Sequence, residues 1–306
     1  MNTSTTLESF PVIGIALAVV SAALLTVGNF LQARGVASRP QAHQAGLGVS
    51  QILSLLRTPV WLAGSVVFGV AILAQLAALA FAPLIVVQPV GVVALVFASI
   101  LTAIVTRQAP NLREILAIVL CVGSLTVFVS VAASVSVQKA ISDRELIAVL
   151  IVLLSVLLVT FVGLLFTRRR GTPAFAYVLL GGLYAAFVAT LGKTVLLRIQ
   201  TALHSDNLGL DNTNLLTIAC VVGIGVAGAL SIYFVQTAHT NNNPQTVVAG
   251  LTVVDPCVAV ALGILLLNEA AGAPAWSFVV FAIAGAGAIW GVRLLARAQR
   301  EPEAAH

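Results

Sequence analysis

"LTVVDPCVAVALGILLLNE", Leu251 to Glu269, sets an acid and a proline, Asp255 and Pro256, about a quarter of the way into an otherwise apolar run. What such a run means depends on the solvent. Of 306 residues, 60% are hydrophobic and 8% are charged, too few polar groups to cover the surface of a water-soluble domain. The medium is therefore a lipid bilayer. About 20 helical residues cross about 30 Å of hydrocarbon, and runs of that length recur at roughly 11–32, 60–81, 84–106, 112–134, 145–166, 174–197, 213–238, 245–268 and 275–296. An all-α integral membrane protein of nine spans is predicted. Helices are favoured over a β-barrel because barrel strands alternate apolar and polar residues, and these runs are continuously apolar.

Lys and Arg in short loops are retained on the cytoplasmic side. One set of span ends holds Arg34, Arg39, Arg57, Arg107, Arg113, Arg168 to Arg170, Arg293, Arg297 and Arg300; the other holds Lys139, Arg144 and Arg198. The N-terminus is expected outside and the C-terminus in the cytoplasm, in a multi-pass protein of the cell membrane. The net charge of +5 reads as topology and lipid-headgroup contact. Scattered over loops, the basic residues carry no nucleic-acid recognition motif. No Lys or Arg precedes the first run, and its length exceeds a signal-peptide core, so it is read as a retained span. Cys121, Cys220 and Cys257 fall inside spans and far apart, as apolar fillers rather than a disulfide framework or metal site.

An internal repeat organises the chain. "VVQPVGVVAL" (Val86 to Leu95) and "VVDPCVAVAL" (Val253 to Leu262) share Val-Val, Pro and the closing Val-Ala-Leu in register. "TVGNFLQAR" (Thr26 to Arg34) is echoed by "TLGKTVLLR" (Thr190 to Arg198), and Ala109-Pro110 by Ala273-Pro274. Spans 1 to 4 (residues 1–134) then form one repeat, span 5 (135–170) a connector, and spans 6 to 9 (171–306) the second repeat with a short basic tail. A single connecting span inverts the second repeat relative to the first.

Inverted repeats mark secondary transporters, whose sites lie near the midplane where helices are interrupted. Pro89 and Pro256 are the expected interruptions, depriving the carbonyls of Ile85 and Thr252 of their helical donors. Each follows a polar side chain, Gln88 or Asp255. Asp255 lies near mid-membrane, where a carboxylate costs at least about 2.5–3.5 kcal/mol unless paired, hydrated or protonated. Asn29, Gln75, Gln88 and the Asn241 to Asn243 turn can add oxygen ligands. Lys193 is either a counter-ion for Asp255 or, near the end of span 6, a snorkelling lysine. Glu269 is expected to cap the outer end of span 8 or to serve as a gate there. His239 is a candidate proton relay or an interfacial residue. A magnesium site expects hard oxygen ligands, with Asp255 as the metal carboxylate if the cargo is a cation; one carboxylate equally suits proton coupling or an organic cation.

From "YFVQTAH" (Tyr233 to His239) through "VVDPCVAVALGILLLNE", the second half resembles the EamA-type repeat of the drug/metabolite transporter superfamily, with Asp255-Pro256 and Asn268-Glu269 at its motif positions. "GNFLQARG" (Gly28 to Gly35), "LAFAPLIVVQPVGVVALVFASILTAIVTRQ" (Leu79 to Gln108) and "CVGS" (Cys121 to Ser124) look like the NIPA-type branch. That resemblance implies nine spans and magnesium transport.

The residues hold no H-E-x-x-H, no G-x-S-x-G and no paired aspartates, and no loop is long enough for a catalytic domain. No enzyme activity and no cofactor are expected. The expected function is alternating-access transport of a small polar or cationic solute through a cavity ringed by spans 1, 3, 6 and 8. The alternatives are magnesium transport, flipping of a lipid-linked sugar, and a structural or scaffold role. Gly287 and Gly291 in span 9, with Gly223, Gly225 and Gly228 in span 7, predict close helix approach, within the chain or in a homodimer.

Overall fold

The computed structural model describes residues 10–38, 57–107, 111–138, 141–167, 172–205, 212–242 and 244–298. Arg39, Gln108, Ala109, Pro110, Lys139, Arg168 to Arg170, Asn243 and Arg300 lie outside them. The described elements are helices: α1 Pro11–Ala37, α2 Pro59–Phe81, α3 Leu84–Val90, α4 Val93–Thr106, α5 Leu112–Val135, α6 Asp143–Thr167, α7 Ala174–Ser205, α8 Asn212–Asn241, α9 Pro244–Leu265 and α10 Ala275–Ala298. With α3 and α4 read as one broken span, nine spans among the described residues are long and apolar enough to cross a membrane. The protein is a multi-pass membrane protein, all-helical among the described residues.

Local chemistry sets the helix ends. Pro59 opens α2 at a position where a missing N–H costs nothing. Asn111 and Glu114 form a reciprocal capping box at the start of α5, with bonds of 2.8 and 3.1 Å. The two prolines behave differently. After Pro89, Gly91 N–H bonds the Gln88 carbonyl at 3.1 Å and Val92 N–H bonds the Pro89 carbonyl at 3.2 Å. These short-range bonds tighten the turn and separate α3 from α4. The interruption expected at Pro256 does not occur, because α9 stays helical through it to Leu265. No glycine follows Pro256 closely, and losing one donor inside a packed membrane helix is tolerated.

α1 lies along α2, α7 along α8 and α5 along α10, while α9 packs on α7 and α3. α6 rests against α7 and α8. A Cβ on Gly64 would sit 2.8 Å from Gln32 N and 2.9 Å from Gly28 O, so only glycine lets α1 and α2 approach this closely. Gly64→Val is expected to lower stability by about 1–3 kcal/mol through this overpacking, read as a shifted unfolding midpoint in detergent; an unshifted midpoint contradicts the packing. A Cβ on Gly291 would meet Cys121 N at 2.8 Å, and Gly287 abuts the Ser124 side chain. This glycine pair is therefore used inside the chain, between α5 and α10, and is not free for a dimer contact.

Two ends of the bundle are chemically distinct. Arg34, Arg57, Arg107, Arg113, Arg293 and Arg297 lie at one, hereafter the basic end. The other holds the α2–α3 turn, the end of α5, the start of α6 and Glu269; there Phe10 N–H bonds Phe81 O at 3.0 Å and Arg198 pairs with Asp143.

Candidate functional site

A cavity of about 1000 Å³ lies within the bundle, walled by α1, α2, the α3–α4 break, α7 and α9, with Val235 from α8. Its polar wall is made of Ser21, Thr26, Asn29, Gln75, Gln88, Thr102, Thr252 and Asp255. Of the residues singled out in the sequence, Asn29, Gln75, Gln88, Asp255 and Pro256 meet here. The wall differs from expectation in its second span, since α2 contributes Phe68, Ala71, Ile72, Gln75, Leu76 and Leu79. Ile85, whose freed carbonyl was expected to complete the site, is fully buried away from it; Thr252 does line it.

Asp255 is the acid of this cavity. Its Oδ1 is buried and has no hydrogen-bond partner. The helix that carries it is held close to α7, because a Cβ on Gly182 would stand 2.8 Å from the Val254 side chain and 3.2 Å from Asp255 N. The hydroxyl groups around it are chemically committed. Ser21 Oγ donates to Ala71 O at 2.7 Å, Thr26 Oγ1 to Ala22 O at 2.9 Å, and Thr252 Oγ1 to Val248 O at 2.7 Å. A hydroxyl whose proton is so engaged presents only lone pairs. Together with the amides, the wall offers oxygen acceptors and one carboxylate, a donor set suited to a hard cation or to its waters. Among the described residues, no three His, Cys, Asp or Glu come close enough to hold a metal by themselves. Ser21 and Thr26 were not singled out in the sequence, yet they share the α1 face of Ala22, Leu25 and Asn29, a helical periodicity that could have found them.

Lys193 and Glu269 lie elsewhere. Lys193 neither snorkels to an interface nor pairs with Asp255; it is 1% exposed and its Nζ is 2.7 Å from Glu269 Oε1. The ammonium also donates to Ala82 O at 2.9 Å. Glu269 closes the end of span 8 through its backbone N–H and not through its carboxylate. Its carboxylate instead receives the N–H groups of Leu84 and Ile85, both at 2.8 Å, and so caps the start of α3. A carboxylate is favoured there by the unsatisfied N–H groups and positive end of a helix. Asn268, at φ 52°, turns the chain back so that Glu269 N reaches Gly263 O at 3.1 Å. A Cβ on Gly263 would come within 2.8 Å of Glu269 Oε2, so glycine makes room for the acid.

The remaining candidates serve packing. Pro89 and the far side of Pro256 line a second, almost wholly apolar pocket of about 280 Å³ beside Phe128 and Phe281. Cys257 lines it and is exposed, unlike the buried Cys121 and Cys220. Asn241 bonds Thr237 O and Asn242 bonds Ala174 O, each at 2.8 Å, tying off the end of α8 without reaching the cavity. His239 is likewise outside its wall.

No solved structure matches the chain significantly. Two relatives from Arabidopsis thaliana, named "Probable magnesium transporter NIPA1" and "Probable magnesium transporter NIPA2", are each 32% identical over 119 residues. That stretch covers 37% of this chain and 34% of each relative, about a third of their length. Neither name is that of an enzyme. The profile of the family described as Magnesium transporter NIPA matches residues 10–301, taking in every described helix and all of the cavity wall. The chain belongs to the NIPA magnesium transporter family.

Proposed function

We propose that this protein carries Mg²⁺ across the cell membrane by alternating access through the central cavity, with Asp255 taking the cation together with part of its water shell. The observation that carries this reading is Asp255, a carboxylate with a buried, unpartnered Oδ1, in the wall of a large cavity edged with oxygen acceptors. An unpaired carboxylate at this depth is costly, and intramembrane acids are functional by default. Mg²⁺ sheds water reluctantly and is commonly bound by one or two carboxylates with several waters retained. Each water takes about 30 Å³, so six with the ion need about 200 Å³, well within the roughly 1000 Å³ present. Membership of the NIPA family and the printed names of the two relatives support magnesium as cargo. The inverted repeat, spans 1–4 against 6–9, is supported by the packing: spans 1 and 2 pair as 6 and 7 do, and span 3 meets 8 as 4 meets 9.

One observation favours a second reading, a small organic cation. Much of the wall is apolar, including Phe30, Phe68, Leu25 and Leu101. Such a lining with a few polar groups is usual for small-molecule sites of about 300–1000 Å³. Purified protein in liposomes with a trapped magnesium indicator separates the two. Saturable Mg²⁺ influx above empty liposomes, slowed by Mn²⁺ and unaffected by tetraalkylammonium ions, is the expected outcome. No Mg²⁺ influx, with uptake of an organic cation instead, would replace magnesium as cargo.

A further inference from the structure

At one end the cavity gives way to a layer that holds a buried ion pair among apolar side chains. Leu79, Gln88 and Gly192 form its last wall on that side. Immediately beyond them in the chain come Ala82, Leu84 with Ile85, and Lys193, all at most 1% exposed and all joined to Glu269 or its lysine partner. Toward the basic end the wall continues along Asn29, Thr102 and Val248, which are exposed. We propose that Lys193 and Glu269 are the gate residues that seal the cavity at the end opposite the basic end, and that their release from the α2–α3 turn opens it there.

The inference rests on the transport reading above and adds the residues that set which end is accessible. The contacts divide unevenly between the halves. Lys193 and Glu269 belong to the second, and what they grip, the Ala82 carbonyl and the Leu84 and Ile85 N–H groups, belongs to the first. Val137 N–H, bonding Glu269 O at 2.8 Å, adds the end of α5. Separating the halves at this end must break these bonds together. Opening exposes the apolar side chains of Ala82, Leu84 and Ile85, and water entering from that end offsets this by hydrating the ammonium, the carboxylate and the freed backbone groups. The layer thus has two satisfied arrangements, paired and dry or parted and wet, as a two-state element requires. Capping α3 also lets Glu269 position Gln88, one turn further along that seven-residue helix, in the cavity wall.

The test uses the full chain with Cys121, Cys220 and Cys257 replaced by alanine and one reporter, Leu79→Cys, placed under the layer. In intact cells it is exposed to a membrane-impermeant cationic thiol reagent. Asp143→Cys, at the same end of the bundle, reports in a separate sample whether that end faces the reagent. With Lys193→Met and Glu269→Gln together, labelling of Leu79→Cys is expected to rise about tenfold or more, as an open state held at 10% or less becomes the major one. Unchanged labelling in folded protein would overturn the gate. If the double variant fails to fold, the intact pair decides: the reporter must label slowly and at a rate that external Mg²⁺ changes, and complete protection with or without Mg²⁺ would overturn it. Labelling of the double variant does not depend on the cargo. A rise on parting the pair in a protein that carries no Mg²⁺ would uphold the gate while rejecting magnesium.

Discussion

Replacing Glu269 with alanine is expected to cost this protein about 3–5 kcal/mol of stability, the usual loss when one partner of a buried ion pair is removed. The cause is what stays behind. Lys193, 1% exposed, would lose its counter-ion and keep only the Ala82 carbonyl as a partner, and the Leu84 and Ile85 N–H groups would lose their acceptor at the start of α3. Lys193→Met should cost less, because Glu269 would still be held by those two N–H groups. The double substitution Lys193→Met with Glu269→Ala should lie closer to the parent than Glu269→Ala alone, since no charge is left stranded. Denaturant titration of the detergent-solubilised protein reads all three. A Glu269→Ala midpoint equal to that of the parent would contradict the buried pair.

Asp255 calls for the opposite expectation. Its Oδ1 has no partner, so Asp255→Asn breaks no bond and removes a charge from a low-dielectric place. Stability should hold or improve, by at most the roughly 2.5–3.5 kcal/mol that an acid costs at mid-membrane. Transport should fall. A charged oxygen contact is worth about 1.5–3 kcal/mol, which corresponds to about a ten- to hundredfold weaker capture of the cation. The two substitutions thereby separate the acids of span 8 and its turn: Glu269→Ala should cost stability, and Asp255→Asn should cost transport.

The spans were legible because apolar length is local information, and each of the nine runs read from the sequence coincides with a helix, or in span 3 with the pair α3 and α4, to within a few residues at its ends, α1 and α7 extending further. The break in span 3 was half legible. Proline marks both candidate sites, but only Pro89 has a glycine, Gly91, close enough to let the chain take the tighter turn, while Pro256 leaves α9 whole. Asp255, Gln88, Gln75 and Asn29 were readable as polar residues in apolar helices. The Lys193–Glu269 pair was not. Its partners are far apart in the chain, and the groups Glu269 holds are backbone N–H groups of α3, which no side-chain pattern reveals. The hydroxyls of Ser21 and Thr26 were hidden for a related reason: what directs their lone pairs is the carbonyl each donates to.

Magnesium influx into liposomes carrying the Asp255→Asn protein, matched to the parent for amount and folding, decides whether Asp255 lies on the ion path. Influx in the variant should fall by about tenfold or more at subsaturating Mg²⁺, with the unfolding midpoint unchanged or raised. Influx equal to that of the parent would remove Asp255 from the ion path.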